Sequence, residues 1–114
     1  MDNYKIFIVD DDNWYADFLK HGLSLNPDYE VEKFETGKDC LSNLYKRPSL
    51  VTVDFTLPDM NGKELLGKIK KHTPEIVVII ISGQEDITTA VELLKEGASD
   101  YIVKNDDTRN RIWN

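Results

Sequence analysis

An α/β fold built on a parallel five-stranded sheet is what this sequence predicts, and two observations carry the prediction. Short β-rich apolar runs alternate with longer segments of helical spacing along the 114 residues, the pattern of repeated strand–helix units. Residues 76–81, all Ile or Val, show no polar alternation, as expected of a strand covered on both faces of a parallel sheet.

The elements follow in chain order. Residues 4–10 read as the first strand, and residues 13–25 as a helix with Trp14, Phe18 and Leu25 on one side. The second strand spans residues 29–34. Thr36 then supplies an N-cap oxygen to a short helix marked by Cys40, Leu41 and Leu44. Residues 49–54 form the third strand, and Leu65, Leu66 and Ile69 mark the third helix. The fourth strand covers residues 75–82. In the helix after it, Ile87, Ala90, Val91 and Leu94 fall at i, i+3, i+4 and i+7, one helical stripe. Gly97 stands where a left-handed residue ends that helix, and residues 99–103 form the fifth strand. Pro27, Pro48 and Pro74 sit in the helix-to-strand connections, where no ladder hydrogen bond is lost. Five such units suggest a flavodoxin-like, doubly wound sheet of order 2-1-3-4-5 with five helices. In such sheets ligands bind outside the carboxyl ends of the strands, between the first and third.

Composition narrows the function. The net charge of −7, from 14 basic and 21 acidic residues, with a pI near 4.7, argues against direct nucleic-acid contact, which needs a basic face. The longest apolar run is six residues, far below the roughly 20 of a membrane helix. No basic-then-apolar leader opens the chain, and the single cysteine, Cys40, excludes an internal disulfide. A cytoplasmic location is therefore the expectation.

The strand ends carry the chemistry. Strand 1 ends in Asp10-Asp11-Asp12, strand 3 in Asp54 and strand 4 in Ser82, while strand 5 runs into Lys104. Taken singly, each has a plain structural reading: Asp12 and Ser82 as helix caps, Asp54 as a turn residue, Lys104 as a solvated charge. Together they are more specific, because the topology chose the place before the residues were read. Clustered carboxylates raise one another's pKa and need compensating positive charge. Lys104 supplies one, leaving room for a hard divalent cation such as Mg²⁺, held by carboxylates, waters and phosphate oxygens. An aspartate beside a cation and a lysine is equipped for nucleophilic attack on phosphorus, giving an acyl phosphate.

The residues in these positions resemble the response-regulator receiver domain of two-component signalling. The blocks Tyr4-Lys5-Ile6-Phe7-Ile8-Val9-Asp10-Asp11-Asp12, Val53-Asp54-Phe55-Thr56-Leu57-Pro58-Asp59-Met60-Asn61-Gly62, Ile79-Ile80-Ile81-Ser82-Gly83 and Gly97-Ala98-Ser99-Asp100-Tyr101-Ile102-Val103-Lys104 run in the family's order. The resemblance implies that residues 1–114 are one phosphoacceptor domain, the N-terminal part of a longer protein with a C-terminal output domain, commonly a transcriptional one. It implies phosphorylation of Asp54 by a sensor histidine kinase or phosphotransfer protein. Asp11 would bind Mg²⁺ (or Mn²⁺) directly and Asp10 would support it, with Asp54 and the Thr56 backbone carbonyl as further ligands. Ser82 would hydrogen-bond the phosphoryl group, Lys104 would neutralise it, and Tyr101 would change rotamer with Ser82 as a switch. A homodimer or effector would meet the face of the fourth helix, fifth strand and fifth helix. Such a domain is a phosphorelay protein rather than an enzyme, although it promotes its own Mg²⁺-dependent phosphoryl transfer and dephosphorylation. Three departures stand out: Asn105 follows Lys104 where the family usually has proline, Thr56 stands at the position two past the acceptor that tunes phosphoryl lifetime in the family, and only ten residues follow Lys104, which truncates the fifth helix.

Other classes fit less well. A pseudo-receiver, acting by interaction without phosphorylation, would lack part of the acidic pair, acceptor or lysine. A haloacid dehalogenase-type phosphatase needs a second aspartate where Thr56 stands, and a flavin-binding protein needs a Ser/Thr/Gly-rich loop after strand 1. His21 and His72 read as helix-surface residues, Cys40 as a small hydrophobe, Lys68, Lys70 and Lys71 as a solvated helix end, and Trp14 and Trp113 as packing residues.

Overall fold

The computed structural model describes residues 4–104. Five parallel strands, β1 (Tyr4–Val9), β2 (Tyr29–Phe34), β3 (Leu50–Asp54), β4 (Val77–Ser82) and β5 (Asp100–Val103), form one sheet of order β2-β1-β3-β4-β5. Four α-helices connect them: α1 (Asn13–Leu23), α2 (Gly37–Ser42), α3 (Gly62–His72) and α4 (Ile87–Lys95), with a short 3₁₀ turn at Leu44–Lys46. The sheet and its order are those the sequence predicts. The fifth helix, Trp113 and the Lys104–Asn105 peptide lie outside the described residues.

The inner strands show why the pattern is α/β. Successive side chains of β1 point to opposite faces, and all four of Ile6, Phe7, Ile8 and Val9 are buried. Phe7 and Val9 pack with Val51, Val53, Val78 and Ile80 beneath Cys40 of α2 and Leu65, Leu66 and Ile69 of α3. Ile6 and Ile8 pack with Ile81 and Ile102 beneath Tyr15, Ala16, Leu19 and Leu23 of α1. Each α-helix begins on a side-chain cap, from Asp12, Thr36, Asn61 and Asp86 in turn, whose oxygen accepts from a backbone N–H of the first turn. The C-terminus of α4 closes as expected. Gly97 has φ +113°, its N–H donates to the Leu94 carbonyl, and Ala98 N–H donates to that of Leu93.

Two apolar helix stripes are less buried than their composition suggests. On α1 only Phe18 of the stripe Trp14, Phe18 and Leu25 meets the core, half-buried against the cluster that contains Tyr15 and Leu19. Trp14 and Leu25 are each 74% exposed, and Trp14 lies flat on Phe18 at 5.7 Å between ring centroids. Tyr15, Ala16, Leu19 and Leu23 form the buried face of α1, and Trp14, one position before Tyr15, is turned from it by about 100°. Leu25 lies beyond the helix end. On α4 only Leu93 is buried, while Ile87, Val91 and Leu94 stay exposed. Periodicity reveals an apolar stripe but not which neighbour covers it.

The register places the strand ends side by side. Val9 pairs with Val53, Asp54 with Ile81, and Ser82 with Val103. The residues that end or follow these strands therefore meet at one edge of the sheet.

Candidate functional site

Asp10 leaves β1 as its backbone N–H donates to the Phe34 carbonyl. That bond carries the β1–β2 ladder one residue further and turns the Asp10 side chain inward, where it is 4% exposed. Its Oδ1 accepts from the Asp12 N–H at 2.9 Å. Its Oδ2 lies 3.0 Å from Lys104 Nζ. Asp54 closes β3 and is 8% exposed, with its Oδ2 at 3.6 Å from the same ammonium. Lys104 is brought there by β5, since its backbone N–H donates to the Ser82 carbonyl at 2.8 Å. Asp11 is exposed at the rim. Among the described residues, carboxylate oxygens of Asp10, Asp11 and Asp54 lie within 4.8 Å of one another. Asp12 instead caps α1, its Oδ1 accepting from the Tyr15 N–H.

Burial and the Asp10 charge push the Asp54 carboxyl up to about 6, against the pull of the Lys104 charge and of a hydrogen bond from the Thr56 N–H. For Lys104, burial works downward. The hydrogen bond to Asp10 and the charges of Asp10, Asp54 and Asp12 outweigh it and hold the ammonium above its ordinary value. One ammonium against three clustered carboxylates leaves the edge negative, and an all-oxygen donor set of this kind suits a hard divalent cation.

Thr56 sits in the loop after β3, bridged to Asn61. That loop is fixed from beyond by Asp59, whose two carboxylate oxygens accept from the N–H groups of Gly37 and Lys38 at 3.0 and 2.9 Å. A Cβ at Gly37 would stand 2.5 Å from Met60 Sδ, so a larger residue there would have to displace the flexible Met60 side chain. Ser82 is buried at the end of β4, and its Oγ accepts from the Gln84 N–H at 3.1 Å. Tyr101, half-buried on β5, donates its hydroxyl proton to the Gln84 carbonyl at 2.9 Å. Ser82 and Tyr101 thus meet at the backbone of a single loop residue.

The structure therefore gathers Asp10, Asp11, Asp54 and Lys104 at one point, with Ser82 at the adjoining strand end and Tyr101 linked to it through Gln84. Sequence reasoning missed Gln84, Asp59 and Tyr15. Gln84 and the partners of Asp59 act through main-chain groups that any residue supplies. Tyr15, whose ring lies 4.6 Å from Lys104 Nζ, carried a signal, as an aromatic one turn into the helix that follows the acidic run. His21 and His72 are exposed, and Cys40 is buried, its thiol pushed up to about 12 by burial.

Comparison with known proteins agrees with this geometry. The family model described as response regulator receiver domain matches residues 6–112. The chain is 36% identical over 110 residues to the transcriptional regulatory protein ZraR of Escherichia coli O157:H7, covering 96% of this chain and 25% of that protein. It is 32% identical over 78 residues to the regulatory protein LuxO of Vibrio cholerae serotype O1, covering 68% of this chain and 17% of that protein. Among solved structures, the response regulator receiver domain protein (CheY-like) from Methanospirillum hungatei JF-1 superposes with a TM-score of 0.86 at 34% identity, over 96% of this chain and 88% of that one. The chain spans a quarter or less of the length of these two curated relatives.

Proposed function

The chain belongs to the response-regulator receiver family, and from that premise we propose that it is a phosphorylation-dependent switch whose acceptor is Asp54. The observation that carries this reading is the placing of a buried Asp54 carboxylate 3.6 Å from Lys104 Nζ, with two further carboxylates close by. An Asp54 oxygen attacks the phosphorus of a phosphohistidine, the P–N bond breaks, and the electron pair leaves with the donor imidazole. The product is an acyl phosphate. Lys104 pairs with the incoming phosphoryl oxygens, and the Ser82 hydroxyl, freed from the Gln84 N–H, donates to one of them. Asp10, Asp11 and Asp54, with the Thr56 carbonyl, are the groups that would hold Mg²⁺ (or Mn²⁺), whose chemistry here is neutralisation of phosphoryl charge. The domain turns over no substrate of its own and is not an enzyme in the ordinary sense.

Partners follow from the family. The donor is a sensor histidine kinase or phosphotransfer protein, and the receiver is the N-terminal part of a longer protein with a C-terminal output domain; the name of the relative ZraR, a transcriptional regulatory protein, supports a transcriptional output. No described helix is long and apolar enough to cross a membrane, and a cytoplasmic location suits a histidine-kinase partner. The exposed Ile87, Val91 and Leu94 of α4 belong to the face on which a homodimer or effector would dock.

Incubation with acetyl phosphate, followed by intact mass measurement, tests the acceptor reading. One added phosphoryl group is expected with Mg²⁺ and none in EDTA. Incorporation that ignores Mg²⁺, or none in either condition, would exclude it.

The signal route is Ser82 to Gln84 to Tyr101. Drawing the Ser82 hydroxyl to the phosphate removes the acceptor of the Gln84 N–H and shifts the peptide that holds the Tyr101 hydroxyl. Tyr101 then settles into a new rotamer, a change between two pre-existing states. NMR spectra with and without beryllofluoride should differ at residues 84–101. Changes confined to the loops around Asp11 and Asp54, with none from Ala90 to Tyr101, would rule the route out.

A further inference from the structure

Among the described residues Lys104 has two carboxylate partners and an aromatic one, and the three do different work. Its side chain is only 20% exposed. Asp10 and Asp54 reach Nζ at 3.0 and 3.6 Å, while the Tyr15 ring faces it at 4.6 Å from the centroid, within the range of a favourable cation–π contact. Tyr15 is held firmly. It is 7% exposed, its N–H is fixed by the Asp12 cap at 3.2 Å, and its ring leans on Phe18 at 6.2 Å.

We propose that Tyr15 is a positioning residue for phosphoryl transfer, its ring face holding the Lys104 ammonium at the acceptor while the carboxylates serve the reaction. This rests on the reading of Asp54 as acceptor. In the phosphorylation cycle Asp54 becomes an acyl phosphate, and Asp10 is one of the groups that would hold the metal, so both carboxylates beside Lys104 carry another duty in the reaction. The π face of Tyr15 is neutral, buried and unchanged throughout. It limits the lysine's search for the incoming phosphoryl oxygens, a positional gain realised at the acceptor. Neither the ring nor its hydroxyl enters the reaction.

The test compares Tyr15→Phe, which keeps the aromatic face, with Tyr15→Leu, which keeps the apolar bulk and removes it. In the Mg²⁺-loaded full chain at saturating acetyl phosphate, Tyr15→Leu should label about three- to tenfold more slowly, consistent with loss of a partly desolvated cation–π contact. Its Mg²⁺ affinity should stay near the parent's, and the conservative Tyr15→Phe should restore the rate. NMR supplies the signature that simple loss of packing would not move. The Lys104 Hε signals should show an upfield ring-current displacement in the parent and in Tyr15→Phe, lost in Tyr15→Leu. Parental labelling by Tyr15→Leu, equal slowing by both variants, or absence of the displacement in the parent would overturn the proposal. A parent that takes no phosphate would instead overturn the acceptor reading, and it is told apart because the ring-current measurement needs no phosphate.

Discussion

Asp54→Asn is expected to abolish phosphoryl incorporation and, in metal-free buffer, to make the protein harder to unfold at neutral pH. The two effects share one cause. The amide keeps the shape of the carboxylate but has no anionic oxygen to attack phosphorus, so labelling should fall to background. The same replacement removes a charge that the fold holds at a cost. Burial and the Asp10 charge raise the Asp54 carboxyl from 3.8 to about 6, so the folded protein binds a proton that the unfolded chain has already released. Stability from this group is present in full below about pH 4, declines between pH 4 and 6, and is gone above 6. The full displacement corresponds to roughly 3 kcal/mol, and with solvent relaxation a gain of about 1–3 kcal/mol is expected for Asp54→Asn at pH 7. Urea unfolding in EDTA from pH 4.5 to 7.5 measures it. The parent should lose stability along that series relative to the variant. Parallel curves would show that the Asp54 charge is not strained, and persistent labelling of the variant would place the acceptor elsewhere.

The second large effect is expected at Asp11. Asp11→Ala should weaken Mg²⁺ binding by about tenfold or more, since loss even of groups that only support a ligand costs tenfold to a hundredfold. Asp11 lies exposed at the rim, where an oxygen within 4.8 Å of those of Asp10 and Asp54 completes a donor set open to water. Trp14 stands three residues further on and is exposed, so its fluorescence should report the titration. A Trp113→Phe background keeps the signal to one indole. Unchanged affinity would remove Asp11 from the ligand set.

The legible part of this protein was the part written in strand ends. Asp10, Asp54, Ser82 and Lys104 were readable because each follows an apolar run whose end the sequence marks, and because parallel order fixes which ends are neighbours. The fourth strand was readable from its unbroken Ile and Val, although its cover is incomplete at exposed Val77 and half-buried Ile79. What was not readable depended on helical phase and on the main chain. Trp14 and Phe18 are more conspicuous than Tyr15 and Leu19, yet the latter pair is buried while Phe18 is half-buried and Trp14 exposed. The stripe of α4 was visible, but its exposure depends on what packs against that helix. The clamp from Asp59 to Gly37 and Lys38 joins groups 21 and 22 residues apart through amides that carry no residue identity.

Gln84 has a consequence for how this domain tolerates sequence change. Its N–H reaches Ser82 and its carbonyl receives Tyr101, while nothing in that link draws on its side chain. Every coded amino acid except proline offers the same donor and acceptor. Position 84 is thus free to drift, and the loop's outward side chain can be remade for a new neighbour without cutting the internal connection. The link draws on the side chains of the residues at its two ends and on the main chain alone of the middle one.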